Sequence, residues 1–212
     1  MDGKETNGPQ SASSSEPLEL LRARPPRERA DAARNREKVL AAAARLFAEH
    51  GVAAVSMDAV AAAAGVGKGT LFRRFGDKSG LAVALLDARE RDLQERILTG
   101  PPPLGPGAPA RERLAAFAAA YLGYLYEHLD LVRMSETASP GARYRIGAYR
   151  FWHRHVAVLL AEARPGGDAG VLAHGLLAAM SAEAAGAAAE EYGRERATAG
   201  VTALALALAD AG

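Results

Sequence analysis

The residues best suited to chemistry lie about one third of the way along the chain, between residues 65 and 78. This segment combines glycines with basic and hydroxyl side chains. On an exposed helix, such side chains could bond guanine edges and phosphates and contact thymine methyl groups. The spacing therefore predicts either a nucleic-acid surface or a phosphate-binding loop. The side chains concerned are Lys68, Thr70, Arg73, Arg74 and Lys78.

The phosphate-loop alternative rests on the run Gly65-Val66-Gly67-Lys68-Gly69-Thr70, which looks like the loop of nucleoside monophosphate kinases. That loop requires a glycine five residues before its lysine, and Ala63 stands there. It also follows a buried strand, whereas the alanine-rich residues 56–64 predict a helix. Both departures argue against a nucleotide-handling enzyme. No spacing along the chain suggests a metal site or a nucleophile–base pair, so we expect no catalytic residues, cofactor or metal.

The nucleic-acid alternative requires two short helices joined by a tight turn. We predict helices at about 56–64, with Ser56 as N-cap, and at about 68–75. Ala61 is small enough to let the two helices approach, and Gly65 can adopt the positive φ of the turn. The spacing from Ala61 through Gly65 to the apolar Leu71 is that of a helix-turn-helix.

Composition predicts that the remaining elements are helical too. Alanine accounts for 50 of the 212 residues, and it favours helices and is depleted from strands. Cysteine is absent, which excludes disulfides, thiol catalysis and thiolate metal sites. The longest apolar runs hold about seven to nine residues, well below the ~18 needed to span a bilayer. We therefore expect an all-α protein of the cytoplasm that does not contact a membrane.

Charge divides the chain into two parts despite a net charge of only +1. Residues 34–78 hold eight basic and four acidic side chains, whereas residues 101–212 hold ten basic and eleven acidic ones. A basic front part and a near-neutral rear part indicate two functions in one chain.

Proline- and glycine-rich segments and helix-capping residues divide the chain further. We predict a disordered tail at 1–30, a helix-turn-helix DNA-binding domain at 31–80 and a helical domain at 81–212. A Pro/Gly-rich linker covers about 99–109, after a helix capped by Asp77. The predicted helices at the two ends and in the rear part are 31–50, 111–129, 131–138, 142–164, 168–190 and 194–209.

Residues 34–85 resemble the TetR family of bacterial transcriptional repressors, without gaps. The resemblance covers the DNA-binding part and leaves the effector open. It implies an N-terminal three-helix DNA-binding domain followed by a helical ligand-binding and dimerisation domain. The matching text is VLAAAARLFAEHG at 39–51, SMDAVAAAAGVGKGTLFRRF at 56–75, then Asp77-Lys78 and Leu81.

The resemblance also implies roles for individual residues. Phe72 stands where the family usually has a phosphate-binding tyrosine, so the hydroxyl is missing, and Arg74 could offset it with a charge-assisted contact. Gly67 replaces a common serine or threonine at the start of the recognition helix. The base-contacting positions are Lys68, Gly69, Thr70 and Arg73. The phosphate-contacting positions are Ser56, Phe72, Arg74 and Lys78.

The rear part is expected to hold the effector and the dimer interface. Aromatic side chains with a few polar groups among them would suit a mostly apolar ligand pocket. Small residues in the last two predicted helices would let helices pack closely between two subunits. The candidate pocket residues are Phe117, Tyr121, Tyr124, Met134, Tyr149, Trp152 and His153. The candidate interface residues are Leu172, Leu176, Met180, Leu204 and Leu208.

Together these features predict a homodimeric repressor that binds a pseudo-palindromic double-stranded operator. A small, largely apolar molecule would bind the rear domain, move the helix at 77–98 and release the DNA. Two alternatives stay open. One is the nucleotide-handling enzyme, and the other is a DNA-binding protein whose rear part only dimerises.

Overall fold

The computed structural model describes residues 26–210, which form eleven α-helices and contain no strand. The all-α prediction is therefore confirmed. Residues 203–209, in which alanine and leucine alternate, are helical as well. The helices are α1 (Pro26–His50), α2 (Met57–Ala64), α3 (Lys68–Phe75), α4 (Lys78–Thr99), α5 (Ala110–Glu127), α6 (Leu129–Thr137), α7 (Ala142–Arg145), α8 (Gly147–Ala163), α9 (Ala169–Ala179), α10 (Ala182–Tyr192) and α11 (Arg194–Asp210).

The end of α1 and both ends of α2 lie where local sequence signals predict them. Helix α1 ends before Gly51, whose φ is +79°. The Ser56 hydroxyl accepts a hydrogen bond from the Ala59 N–H at 3.1 Å and so caps α2. Gly65 ends α2 at φ +65°, a left-handed conformation that side chains with a Cβ rarely adopt. The predicted tight turn between α2 and α3 is confirmed.

Two hydrophobic cores organise the chain, and α4 contributes to both. Leu81, near the start of α4, is fully buried in the front core. Leu86, Leu93 and Ile97 belong to the rear core. The front core otherwise comes from α1, α2, α3 and the loop between α1 and α2. Because one continuous helix enters both cores, a shift of α4 in the rear core must also displace the front core.

The rear core is built by α5 and α8 with α9, α10 and α11 around them. Phe117, Leu122 and Leu159 have no exposed surface. Helix α6 connects the two cores, because its Leu131 and Met134 pack against the front core while Val132 is part of the rear one. The segment between α4 and α5 is non-helical, as its prolines and glycines predict.

Three predicted boundaries are corrected by the structure. Helix α1 begins at Pro26, so residues 26–30 are helical rather than part of a disordered tail, and residues 1–25 lie outside the described part. The helix expected at 142–164 is interrupted at Ile146, where the backbone is extended. The helix expected at 168–190 breaks at Met180, and Ser181 caps a new helix that turns by 49°.

Within residues 26–210, no single helix has the length and apolar character needed to cross a membrane. The bent pair α9 and α10 passes the same test jointly on length and composition. No group of three or more His, Cys, Asp or Glu side chains in this range could hold a metal ion.

Candidate nucleic-acid interface and effector cavity

Helix α3 presents its polar side chains on one exposed face. Leu71 is 1% exposed and fixes α3 on the front core. Lys68, Thr70 and Arg73 are all exposed to solvent. Gly69 is exposed too, and a Cβ added there would meet nothing within 4 Å. The four predicted base-contacting residues are therefore all exposed to solvent on the second helix of the helix-turn-helix.

Lys68 has an intramolecular partner on this face. Its Nζ donates a hydrogen bond to the Asp58 carboxylate of α2. The two side chains are 67% and 55% exposed, so solvent screens the ion pair. Such a pair holds the lysine on the outer face at little cost and can exchange for a base or phosphate.

The predicted phosphate-contacting residues differ in the hydrogen-bond donors that they can offer to a phosphate. Ser56 is exposed and retains its O–H as a donor while its oxygen caps α2. Phe72 is 45% exposed and offers apolar surface only. Arg74 is exposed and donates to the Ala32 carbonyl of α1 at 2.8 Å, which uses one of the five guanidinium N–H groups. Arg74 thereby ties the start of α1 to the recognition helix.

The structure gives Lys78 a different role from the expected phosphate contact. Its Nζ donates to the carbonyls of Val52, Ala53 and Val55 at 2.9, 3.0 and 3.0 Å. An ammonium group has three N–H donors, and all three are occupied in this arrangement. Lys78 therefore closes the loop between α1 and α2 from the first turn of α4.

The phosphate-loop alternative fails on structural context. The run 65–70 follows helix α2, whereas a phosphate loop must follow a buried strand, and residues 26–210 contain no strand. Lys68 opens helix α3 and bonds to a carboxylate rather than facing an anion site.

A second site lies in the rear core, where a cavity of about 20 Å³ separates α4 from α5, α6, α7 and α8. That volume holds about one water molecule. The structure brings four of the seven predicted pocket residues together at this cavity, and it adds charged residues that sequence reasoning left out of the pocket. The predicted residues that line it are Tyr121, Tyr124, Tyr149 and Trp152.

Three predicted pocket residues do not line the cavity. Phe117 lies behind it and contacts the rings of Tyr121 and Trp152 at centroid distances of 5.7 and 6.2 Å. Met134 packs against the front core instead, because α6 turns that face toward α1 and α4. His153 bonds through Nε2 to the Gly170 carbonyl at 3.1 Å, at the start of α9.

Glu90 of α4 lines the cavity and has no cationic side chain beside it in the described part of the chain. The Tyr124 hydroxyl donates to its Oε1 at 3.2 Å, and the described residues place no salt bridge on it. Burial raises the pKa of Glu90 above its usual range, the Tyr124 hydrogen bond opposes this shift, and the nearby Asp87 adds to it. The pKa of Tyr124 is raised as well, chiefly because burial disfavours a phenolate.

A buried ion pair forms the opposite wall of the cavity. Glu136 of α6 and Arg143 of α7 are each 9% exposed in their side chains and bond directly. Arg143 also donates to the Leu177 carbonyl at 2.7 Å, and Glu136 accepts from the Ala182 N–H at 2.8 Å. Burial raises the pKa of Glu136, while Arg143 and the backbone N–H oppose that shift. The pair thus joins α6 to the bend between α9 and α10.

His155 of α8 is a further buried polar group near this core. Its ring lies 5.2 Å from that of Phe117, and its Nε2 is buried without a described partner. Burial, reinforced by the positive charge of Arg113, lowers the pKa of His155 to about 4. The imidazole is therefore neutral near pH 7.

The predicted dimer-interface residues fall into two groups. Leu176 and Met180 have no exposed surface, so burial corrects their assignment: they form the core of the chain and have nothing left to bury against a partner. Leu172 and Leu208 are half-buried, and Leu204 is 41% exposed. Val171 of α9, which the prediction missed, is 66% exposed. Helices α9 and α11 thus both carry accessible apolar surface.

Geometry alone defines a helix-turn-helix protein with a separate helical core behind it, and comparison with known proteins identifies its family. The family profile described as "Bacterial regulatory proteins, tetR family" matches residues 39–85. An HTH-type transcriptional regulator of Staphylococcus aureus strain RF122 is 43% identical over 69 residues, which cover 32% of this chain and 36% of that protein. The chain thus matches only about a third of the length of such curated relatives.

Solved structures share the fold along most of the chain. A TetR-family regulator from Pectobacterium atrosepticum is similar with a TM-score of 0.58 and 25% identity, over 82% of this chain and 92% of that one. A regulator from Saccharomonospora viridis, solved in complex with choline, has a TM-score of 0.55 and 22% identity, over 82% and 94% of the two chains.

Residues 39–85 are therefore those of the TetR family of bacterial regulatory proteins, and solved TetR-family regulators share the fold over most of the chain. Its fold and its relatives are those of transcriptional regulators and not of enzymes.

Proposed function

We propose that this protein is a homodimeric transcriptional repressor whose α3 helices read a pseudo-palindromic operator. The observation that carries this proposal is the exposure of four polar or glycine positions on α3, a helix that Leu71 fixes on the front core. Arginine bonds guanine in bidentate fashion and threonine can contact a thymine methyl group. Arg73 and Thr70 are therefore the proposed base-reading residues, with Lys68 and Gly69 beside them.

Phosphate contacts fix the position of this helix on the duplex. Ser56 at the start of α2 and Arg74 on α3 are exposed and keep free donors, so both are proposed phosphate ligands. Phe72 is assigned apolar contact with the sugar-phosphate backbone. Lys78 is removed from the set because its three donors are bound to loop carbonyls.

Dimerisation follows from the accessible apolar surface on α9 and α11. Val171 and Leu204 are exposed on adjacent helices, with Leu172 and Leu208 half-buried around them. An isologous contact of these helices between two copies would bury this surface and present two α3 helices to successive major grooves. The division at about residue 80 into DNA-binding and effector domains is part of the same proposal, with α4 as the element they share.

Effector binding acts on α4 and α6. The cavity behind Tyr121 is lined by both helices, and both also enter the front core. A small molecule that enlarges it would shift them and change the separation of the two α3 helices, so that the liganded dimer no longer fits both half-sites. The choline bound by the Saccharomonospora viridis neighbour supports a small-molecule effector for this chain.

The experiment is selection of bound fragments from the genomic DNA of the source organism, followed by footprinting. The proposal predicts protection of two half-sites related by a two-fold axis and about one or more helical turns apart. Binding that is indifferent to sequence, or a single unsymmetrical protected segment, would overturn it.

A further inference from the structure

We infer that the effector of the rear cavity is an organic cation, whose charged end is held by Glu90 and by the rings of Tyr121, Tyr124 and Trp152. This inference rests on the proposed function, because it names the ligand class of the same cavity. It makes Glu90 a specificity-determining residue.

Charge balance is the first argument. The cavity is lined by two carboxylates, Glu90 and Glu136, and by one guanidinium, that of Arg143. Glu136 is already satisfied by Arg143 and by the Ala182 N–H. Glu90 has only the hydroxyl of Tyr124, at 3.2 Å, among the described residues. A carboxylate that is half-buried without a cation loses hydration that nothing replaces, and a cationic ligand would compensate for that loss.

The aromatic rings are the second argument. Tyr121 stands at the centre, with ring centroids 6.0 Å from Tyr124 and 5.7 Å from Trp152. Adjacent, inclined aromatic faces form the kind of enclosure that attracts ammonium groups through the ring quadrupoles. The protein already uses this attraction within the site, because the Arg143 guanidinium lies 5.5 Å from the centroid of Tyr149.

The charge of Arg143 argues against an anion. An anionic ligand would have to displace Glu136 from a buried, directly bonded pair and leave that carboxylate uncompensated, which is strongly unfavourable. It would also lie near Glu90 and be repelled. A cation meets neither obstacle, since it would lie against Glu90 while the Glu136–Arg143 pair stays intact.

The position of Glu90 connects binding with the DNA-binding part. Glu90 lies on α4, four residues after the buried Leu86, and α4 begins with the Lys78 clamp on the front core. The cavity of about 20 Å³ is too small for any organic cation. Binding at Glu90 must therefore move α4 relative to α5 and α8, and the displacement reaches the front core through the same helix.

Trp152 provides a direct test, because it is the one tryptophan of the sequence and lines the cavity. The full chain is titrated at neutral pH with tetramethylammonium, tetraethylammonium and phenyltrimethylammonium, and Trp152 emission is recorded. tert-Butylbenzene serves as the uncharged analogue of the same shape as phenyltrimethylammonium, and benzoate as the anion. We expect saturable binding of at least one cation, roughly tenfold or more tighter than the uncharged analogue.

Glu90→Gln is the discriminating variant, and Glu95→Gln is its control on an exposed position of the same helix. Glu90→Gln should weaken cation binding roughly tenfold or more and leave tert-butylbenzene binding unchanged, whereas Glu95→Gln should change neither. Equal binding of the cation and its uncharged analogue, tighter binding of benzoate, or an unchanged affinity in Glu90→Gln would overturn the inference. So would the absence of any response to all three cations at millimolar concentration.

DNA binding is measured on the same samples without ligand, which separates this inference from the proposed function. Glu90→Gln and Glu95→Gln should both retain the affinity of the unsubstituted protein for selected fragments. Specific DNA binding without any cation response would overturn the inference alone. A cation response without specific DNA binding would overturn the proposed repressor and leave the cation site standing.

Discussion

Replacing Lys78 with methionine should destabilise the front core without changing the number of phosphate contacts. Methionine keeps the unbranched apolar stem and removes only the ammonium group. The three hydrogen bonds to the loop between α1 and α2 are lost. Val52 and Val55 are buried, so their carbonyls are not fully rehydrated, whereas the exposed Ala53 can bond to water.

The magnitude follows from these two buried acceptors. Hydrogen bonds to a charged donor contribute about 1.5 kcal/mol or more each, so two of them give about 3 kcal/mol. In a chain of this size, that loss lowers the melting temperature by roughly 6–12 °C. Lys68→Met is the matched control, because its lysine is 67% exposed and should change stability by less than about 0.5 kcal/mol.

Two assays distinguish a Lys78 that holds the loop between α1 and α2 from a Lys78 that binds a phosphate. Thermal unfolding measures the stability loss, and the salt dependence of binding to a mixed-sequence duplex counts the phosphates neutralised. A phosphate ligand would flatten the logarithmic salt slope by about one unit on removal. We expect Lys78→Met to melt earlier with an unchanged slope. An unchanged melting temperature together with a flatter slope would refute the clamp and restore the phosphate contact.

Three further predictions concern the rear core. Glu90→Gln should raise the melting temperature at neutral pH. Because folding raises the pKa of Glu90, the native state binds more protons than the unfolded state and loses stability as pH rises above 4.5. Thermal unfolding measured over a range of pH should show this loss in the unsubstituted protein and not in the variant. His155→Phe should reduce the loss of stability at acid pH. Because folding lowers the pKa of His155 from 6.5 to about 4, the unsubstituted protein loses about 3 kcal/mol of stability as pH falls through that window. The control His50→Gln, at an exposed histidine, should lose stability as the unsubstituted protein does. Leu204→Arg should give a folded monomer in light scattering with weakened operator binding, whereas Leu98→Arg, on a leucine of α4 that is more exposed still, should remain dimeric. A dimeric Leu204→Arg protein would exclude α11 from the interface.

The front part could be predicted from sequence because its signals are local. Ser56, Gly65 and Asp77 each act within four residues, as an N-cap, a left-handed C-cap and an N-cap, and all three boundaries are confirmed. The break at Met180 was missed although Ser181 carries the same signal. Its hydroxyl caps α10 through the Ala184 N–H, but the surrounding alanines favour an uninterrupted helix.

The rear site could be predicted only in part because its charged residues meet through tertiary contacts. Glu90 reaches Tyr124 across 34 positions of the chain, and Glu136 reaches the Ala182 N–H across 46. No periodicity encodes such pairs. Aromatic residues could be assigned to a pocket by composition, whereas Met134 was misplaced because its helix faces the front core. The role of Lys78 was missed for a related reason: spacing shows that a lysine is present, and not where its donors point.

The central claim is that α3 reads DNA bases in two symmetric half-sites, and Arg73 tests it most directly. Binding preferences of the unsubstituted protein and of Arg73→Ala are measured side by side by selection from a random duplex library. We predict a two-fold symmetric motif and, in the variant, loss of preference at one base pair in each half-site, at a cost of about 1–3 kcal/mol. An identical motif, or a uniform loss of affinity for every sequence, would contradict the account.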